Sequence, residues 1–255
     1  MELIFDSHWG GLGDWLSIST LPEEFSKQKG IDVYLKDSAS FRNEGIKELF
    51  LLNPFIKGVK SGTATIGNLS LPDRVMYDNF VGSFMKNWEI AHGLEGVNDF
   101  PKIYYTPEKK SGYENVLLVD MSTITVTYNA IVLHEILNSV KDGWDLLFVN
   151  FSKKLNSPEN DIFHHGRHEL YDLGIENKII INSIFEYCDL LASVGGYISL
   201  HSGGHSLAVA VKNQFNLNLK QMCISGYNHY KNHEQYCLHL YSGVEYLTFN
   251  EQEVH

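Results

Sequence analysis

Residues 2–16 read ELIFDSHWGGLGDWL, and this stretch decides the fold prediction. The run ELIFD, Glu2–Asp6, is typical of a short β-strand, and it leads into the glycine turn GGLGD. From residue 15 to residue 28 apolar side chains recur at helical spacing, and Pro22 either interrupts this helix or starts a new first turn. Ile31–Leu35 then alternates like a second strand. This order of elements predicts the opening of a doubly wound α/β domain.

The rest of the chain repeats the alternation of strands and helices. The first half adds predicted helices at 42–52 and 77–94, a loop or edge segment at 62–72 and a linker at 100–110. The second half has predicted strands at 116–119, 145–150, 178–181, 197–200, 221–224 and 246–249, and helices at 128–140, 185–193 and 207–212. Strands that alternate with helices predict parallel sheets. A chain of 255 residues fits two halves, so we predict domains at 1–110 and 111–255.

The composition is that of a folded, acidic chain. It has 20 basic and 31 acidic residues and 44% hydrophobic residues, and neither predicted half has a basic excess, so we expect no nucleic-acid partner. Its three cysteines are odd in number and show no C-x-x-C spacing, which favours a reducing compartment and argues against a disulfide framework or a cysteine-rich zinc site. Because the first apolar run breaks at Asp6, we expect it to be neither a signal peptide nor a membrane span. We therefore expect a cytoplasmic protein.

The first glycine turn combines backbone freedom with a carboxylate. Gly10, Gly11 and Gly13 allow a tight turn and the close approach of a ligand, and a helix begins directly after them. The run is not G-x-G-x-x-G, and the charge of Asp14 would repel a dinucleotide pyrophosphate. Asp14 is either the N-cap of the helix or a catalytic carboxylate, and the two roles do not exclude each other.

A second loop of similar chemistry follows the strand predicted at 197–200. Ser202, Gly203, Gly204, His205 and Ser206 offer neutral hydrogen-bond donors at the start of a helix, which suit phosphate oxygens. The alternative is a helix start with a serine cap and close packing at the glycines.

These segments resemble the heptosyltransferase family. The motif GGLGDWL at 10–16 is similar to the family's opening motif, LNPFI at 52–56 to the segment before its next strand, and EIAHGLEGVNDFPKIYY at 89–105 to its hinge approach. EYCDLL at 186–191 and YISLHSGGHSLAVA at 197–210 resemble its donor-binding segment. The resemblance implies an α/β fold of the GT-B type, in which two Rossmann-like domains face each other across a cleft. It also implies inverting, metal-independent sugar transfer, as in the synthesis of the lipopolysaccharide core.

The resemblance assigns roles to individual residues. Asp14 would be the catalytic base, on an acceptor-side loop formed by Gly10, Gly11 and Gly13. We expect desolvation to raise the pKa of Asp14 and the helix N-terminus to oppose that rise. The donor-binding residues would be Ser202, Gly203, Gly204, His205 and Ser206, with Lys153, Lys154 and Arg167 as cations and His201 where the family has an acid. Ser206 stands at the family's later histidine position, one place after His205.

Some of these residues have ordinary alternatives. Lys153 and Lys154 follow a predicted strand at the end where ligands collect, but they also fit a solvated surface pair. Arg167 equally fits a surface ion pair. The segment HHGRH at 164–168 raises the alternative of a metal site, yet the glutamate of an H-E-x-x-H motif is absent. We expect no metal and no cofactor.

The function that follows is an inverting, metal-independent glycosyltransferase that uses a nucleotide-sugar donor and a saccharide or glycolipid acceptor in surface polysaccharide synthesis. Peripheral contact with a membrane remains open. The alternatives are a fucosyltransferase-like GT-B enzyme, a non-catalytic binding or assembly protein of the same fold, and a metal-dependent hydrolase that uses the histidines.

Overall fold

In a computed structural model, the chain forms two compact units. The structure describes residues 2–6, 10–63, 66–67, 84–122, 129–152, 173–226 and 240–249. One unit consists of Met1–Thr106 with Leu240–Ser242, and the other of Pro107–His239 with Gly243–His255. Each unit contains a parallel sheet and helices, as the alternating sequence pattern predicted. The assignment of the acceptor to residues 1–110 and of the donor to 111–255 stays a prediction.

The first unit has a four-stranded parallel sheet in the order β3-β2-β1-β4. Its strands are β1 (Glu2–Asp6), β2 (Asp32–Lys36), β3 (Ile56–Lys60) and β4 (Ile66–Gly67). Its helices are α1 (Leu12–Ser17), α2 (Leu21–Lys29), α3 (Glu44–Leu51) and α4 (Phe84–Ala91).

The helical periodicity between residues 15 and 28 covers two helices rather than one. Helix α1 ends at Ser17, and Pro22 lies in the first turn of α2, where the missing N–H of proline is harmless. Of the two alternatives for Pro22, the new first turn is therefore correct. Gly30 ends α2 with φ 63°, a left-handed conformation that favours glycine.

The residue pattern did not predict strand β3, although the family resemblance of LNPFI implied a strand at this point of the chain. It is the edge strand, and it carries a bulge: Val33 pairs with Ile56 whereas Leu35 pairs with Val59. Gly58 absorbs the extra residue with φ 147°. Because the glycine and the exposed lysines break the alternation of apolar residues, the period-two signal is lost.

The second unit has a six-stranded parallel sheet in the order β10-β9-β8-β5-β6-β7. Its strands are β5 (Val116–Asp120), β6 (Asp145–Phe151), β7 (Lys178–Ile181), β8 (Gly196–Leu200), β9 (Lys220–Gly226) and β10 (Glu245–Phe249). Its helices are α5 (Ala130–Val140), α6 (Ile184–Ser193) and α7 (Gly203–Gln214). This is the doubly wound order, with the direction of winding reversing between β5 and β8.

The core of the second unit lies around the central strands. Every residue of β8 is buried, and β5 is buried from Leu117 to Asp120. Burial on both faces is what parallel strands covered by helices on each side require. The carboxyl ends of β5 and β8 flank the switch point, which is where open sheets of this kind bind ligands.

Candidate functional site

The first candidate site is the glycine turn between β1 and α1. Gly10 has φ 67°, and a Cβ there would lie 2.9 Å from the carbonyl oxygen of Ser40. The backbone of Gly10 accepts a hydrogen bond from the N–H of Arg42 at 2.9 Å. The positive φ and the nearness of Ser40 both require glycine at position 10, because a side chain would strain the backbone and collide with Ser40. The turn is thus fastened to the segment that follows β2.

Asp14 lies in the first turn of α1, three residues after the N-cap residue Gly11. Its Oδ2 accepts a hydrogen bond from the N–H of Gly11 at 2.9 Å. The prediction that Asp14 is itself the N-cap is therefore wrong by position, although its carboxylate does satisfy a backbone donor at this helix end. Burial raises the pKa of Asp14, while the Gly11 N–H and the charge of Arg42 oppose the rise. The rise on burial and the opposition at the helix N-terminus were expected from the sequence, whereas the effect of Arg42 was not.

Trp15 fixes α1 against the same segment. Its indole Nε1 donates to the carbonyl oxygen of Ser40 at 3.0 Å. Its ring stacks on Phe41 with centroids 4.2 Å apart and contacts Phe50 of α3 at 4.6 Å. Because Trp15 is almost fully buried, these contacts set the position of its neighbour Asp14 rigidly.

The second candidate site is the start of α7. This helix begins at Gly203, so the prediction that it begins at Leu207 is wrong and Gly203–Ser206 form its first turn. Ser202 is the N-cap, in an extended conformation. Its Oγ is shielded from solvent and has no hydrogen-bond partner among the described residues. A buried hydroxyl at a helix N-terminus is suited to meet an anionic ligand.

A buried carboxylate lies directly behind this helix start. Asp120, the last residue of β5, is fully buried, and a Cβ on Gly204 would lie 2.5 Å from its Oδ2. The same Oδ2 accepts from the hydroxyls of Tyr187 at 2.5 Å and Tyr197 at 3.0 Å. Its Oδ1 accepts from both the N–H, at 2.9 Å, and the hydroxyl of Ser122. Burial and the charge of Asp120 raise the pKa values of both tyrosines, so they act as donors.

Sequence reasoning missed Asp120 and its partners. The available signal was an acidic residue that ends the buried apolar run VLLVD. In the structure this strand pairs with GYISL, the strand that leads into Ser202 and α7. It also missed Arg42, which was assigned to a helix although α3 begins at Glu44.

His205 is fully buried, and His201 is partly buried with its Nε2 shielded from solvent. Burial lowers the pKa of His201 to about 4 and that of His205 well below its ordinary value, so both rings are neutral. The His205 ring packs into the unit: its Nδ1 lies 3.2 Å from Nε2 of Gln221 and its Nε2 3.5 Å from the hydroxyl of Tyr246. This burial does not favour His205 as a phosphate donor, and its place in the donor-binding set stays a prediction.

Three predicted cations, Lys153, Lys154 and Arg167, lie outside the described residues, as does the HHGRH segment. Within the described ranges no group of three or more His, Cys, Asp or Glu side chains could hold a metal ion. In the same part of the chain no helix combines the length and the apolar character that crossing a bilayer requires.

No protein-family profile and no curated protein sequence matches the chain. Its structure is similar to that of TibC, an iron-containing dodecameric glycosyltransferase from enterotoxigenic E. coli H10407, with 15% identity and a TM-score of 0.58 over 88% of this chain and 58% of TibC. A glycosyl transferase family 9 protein from Veillonella parvula DSM 2008 gives 9% identity and a TM-score of 0.60 over 99% and 86% of the two chains. E. coli heptosyltransferase WaaC with ADP gives 9% and 0.56 over 97% and 93%.

The chain has the fold of the heptosyltransferases. At identities of 9–15% this likeness concerns the fold alone. The chain spans 58% of the length of TibC. Activity has to be argued from the site.

Proposed function

We propose that this chain is an inverting glycosyltransferase that moves a sugar from a nucleotide-sugar donor to a saccharide or glycolipid acceptor. The observation that carries the proposal is Asp14, a half-buried carboxylate held on a rigid glycine turn beyond the carboxyl end of β1. Ligands of open parallel sheets bind at that edge. The likeness of the fold to heptosyltransferases supports the reaction class.

The role of Asp14 is that of general base. The acceptor hydroxyl gives its proton to the Asp14 carboxylate while its oxygen bonds to the anomeric carbon of the donor sugar. The bond between that carbon and the phosphate oxygen breaks, the nucleoside diphosphate leaves, and the configuration inverts. Desolvation suits this role, because an ordinary aspartate is a weak base and its raised pKa strengthens proton acceptance.

The donor diphosphate is assigned to the start of α7. The shielded Oγ of Ser202 and the backbone N–H groups of the first turn would meet its oxygens. Lys153, Lys154 and Arg167 are proposed to supply positive charge. The negative charge of Asp120 is offset by the three hydroxyls and the backbone N–H that surround it.

The remaining parts of the proposal follow the family resemblance. The two units are proposed to face each other across a cleft, as in GT-B enzymes, with a surface polysaccharide as the product. The reaction is proposed to need no metal and to take place in the cytoplasm, with peripheral membrane contact in the case of a glycolipid acceptor. Turnover that is unchanged in EDTA would support metal independence. Turnover that is lost in EDTA and restored by a metal would contradict it.

The first test is a thermal-shift screen with nucleoside diphosphates and nucleotide sugars. A donor at 100 times its Kd stabilises the folded state by about 2.7 kcal/mol, which raises the melting temperature by several degrees. A hit is then incubated with candidate acceptors, and the products are detected by mass. No shift with any nucleotide would favour a non-catalytic protein. Stoichiometric zinc in the purified protein would favour the hydrolase. A hit with GDP-fucose alone would favour the fucosyltransferase-like alternative.

The second test is the variant Asp14→Asn. It keeps the shape and the hydrogen bond from Gly11 but cannot accept a proton at neutral pH. We expect turnover to fall by at least about a hundredfold while the Kd for the donor stays within twofold. Turnover near the wild-type level would remove Asp14 from the mechanism.

A further inference from the structure

The backbone of Arg42 is held in a fixed position near Asp14. Three contacts join the segment after β2, which contains Arg42, to the glycine turn after β1 and to α1. Arg42 N–H donates to the oxygen of Gly10 at 2.9 Å, Trp15 Nε1 donates to the oxygen of Ser40 at 3.0 Å, and Trp15 stacks on Phe41. Residue 43 caps α3 directly afterwards. The position of the Arg42 backbone relative to α1 is therefore set by the fold.

The guanidinium and the carboxylate approach the same point from two sides. Where a Cβ on Gly11 would lie, Asp14 Oδ2 is 2.8 Å away and Arg42 Nε and Cζ are 3.6 Å away. The absence of a side chain at Gly11 leaves this space between the two charges open. The structure describes no direct ion pair between them. Because both groups lie within 3.6 Å of the same point, their opposite charges still interact appreciably in this partly buried site.

Helices α3 and α4 pack against α1 and carry other charged side chains, most of which have ion-pair or hydrogen-bond partners of their own. Helix α3 carries Glu48 and the ion pair Glu44–Lys47 at 3.0 Å, and Lys86 of α4 pairs with Asp99 at 2.7 Å. Glu89 of α4 accepts backbone N–H groups of the segment after the helix, and Lys36 pairs with Asp6 at 2.9 Å. Among the described residues, Arg42 is the charged group that acts on Asp14.

We propose that Arg42 is a positioning residue of the Asp14 site, whose charge keeps the carboxyl group ionised and ready to accept a proton. The inference rests on the proposed function for its catalytic meaning. Its physical content, the dependence of Asp14 on Arg42, is separate and can be measured without substrate.

The sign of the effect is fixed. Burial raises the pKa of Asp14 and the positive charge of Arg42 lowers it, so removing that charge leaves burial less opposed. Asp14 then stays protonated up to a higher pH. A protonated carboxyl group cannot act as a base, and the loss of rate is therefore confined to the acid side of the pH profile.

The test is an NMR titration of the Asp14 carboxyl carbon in the full chain, with the signal assigned by its absence in Asp14→Asn. In Arg42→Gln we expect the titration midpoint to lie at higher pH than in the wild type. In Arg42→Lys, which keeps the charge, it should return towards the wild-type value. The matched control is Lys47→Gln, which removes a charge from the neighbouring helix α3 and should leave the midpoint unchanged.

Two results would overturn the inference. One is an Asp14 midpoint that is the same in Arg42→Gln as in the wild type. The other is an equal displacement in Lys47→Gln, which would indicate a general effect of net charge. A melting temperature measured for each variant shows that the titrated protein is folded.

Where turnover is detected, the pH profile of kcat/KM gives a second readout. Arg42→Gln should lose at least about threefold relative to the wild type on the acid side of the profile and converge with it on the alkaline side. A uniform loss at every pH would contradict the electrostatic role. Failure of the proposed function would leave no turnover in any variant, while the NMR midpoints would still decide the relation between Arg42 and Asp14.

Discussion

The carboxylate of Asp120 lies against the Cα of Gly204, so that a Cβ at this position would approach its Oδ2 to 2.5 Å. The same Cβ would come within 3.0 Å and 3.1 Å of the hydroxyls of Tyr197 and Tyr187. The first turn of α7 therefore packs directly on a buried polar cluster at the switch point of the second sheet.

Gly204→Ala is expected to destabilise the protein, although alanine normally stabilises a helix relative to glycine. The new methyl group must displace either α7 or the Asp120 cluster, and overpacking of this kind lowers the free energy of unfolding by about 1–3 kcal/mol. Urea unfolding measures it. Gly203→Ala, on the same turn but half-buried, is the matched control and should show no comparable loss. An equal loss in both variants would place the cause in the helix start rather than in the contact with Asp120.

Asp120→Asn should lower the free energy of unfolding by about 2–3 kcal/mol, because the amide nitrogen cannot accept the hydrogen bonds that the buried carboxylate accepts. Tyr197→Phe removes a single donor and should lower it by about 1 kcal/mol. Chemical denaturation of the three proteins under one condition gives the comparison. An Asp120→Asn variant as stable as the wild type would show that the cluster is held by packing alone.

His201 and His205 are expected to lower the stability of the protein in mild acid. Burial depresses the pKa of His201 to about 4 and that of His205 below its ordinary value, whereas both titrate near 6.5 when unfolded. The unfolded chain therefore binds more protons below pH 6.5, so the stabilising contribution is complete above that pH and falls as the pH drops towards 4. Melting temperatures between pH 8 and pH 4.5 measure the slope. His201→Gln should flatten it, and an unchanged slope would exclude His201 as a cause.

A second loss of stability is expected at a lower pH, and it depends on Glu23. Burial alone would raise the pKa of Glu23, but hydrogen bonds from Lys102, Lys27 and Tyr104 lower it to about 2. The stabilisation is complete above pH 4.5 and is lost as the pH falls towards 2. At pH 7, Glu23→Gln should lower the free energy of unfolding by about 2 kcal/mol.

A pair of lysine variants tests which contact of Glu23 matters. Lys102 is 30% exposed and lies 2.7 Å from the carboxylate, whereas Lys27 is 57% exposed. Lys102→Gln should therefore destabilise the protein by about 1 kcal/mol and Lys27→Gln by less than about 0.5 kcal/mol. Denaturant unfolding measures both losses. The reverse order would show that the Lys27–Glu23 pair within α2 contributes more stability than the Lys102–Glu23 pair.

Local pattern was enough to predict most of the secondary structure. A few neighbouring residues were enough to predict the strand ELIFD, the glycine turn and the helix start at Pro22. Buried strands such as VLLVD are recognised by their continuous apolar character. The residue pattern did not predict the edge strand β3, because Gly58 and the lysines of this strand interrupt the alternation of apolar and polar residues on which such predictions depend. The first residue of α7 was also not predicted correctly, because glycines at a helix terminus are typical of loops when their packing partner is unknown.

The sequence by itself determined two parallel α/β units and the turn that carries Asp14, since both depend on hydrophobic periodicity and on glycine at fixed positions. Only the tertiary structure decided which side chains act on one another. The charge of Arg42 acts on Asp14 from the segment after β2, Asp120 at the end of β5 lies against Gly204 after the neighbouring strand β8, and His205 is buried within its unit. The physical reason is that charge and burial depend on distances through space, and residues brought together by a parallel sheet are far apart along the chain.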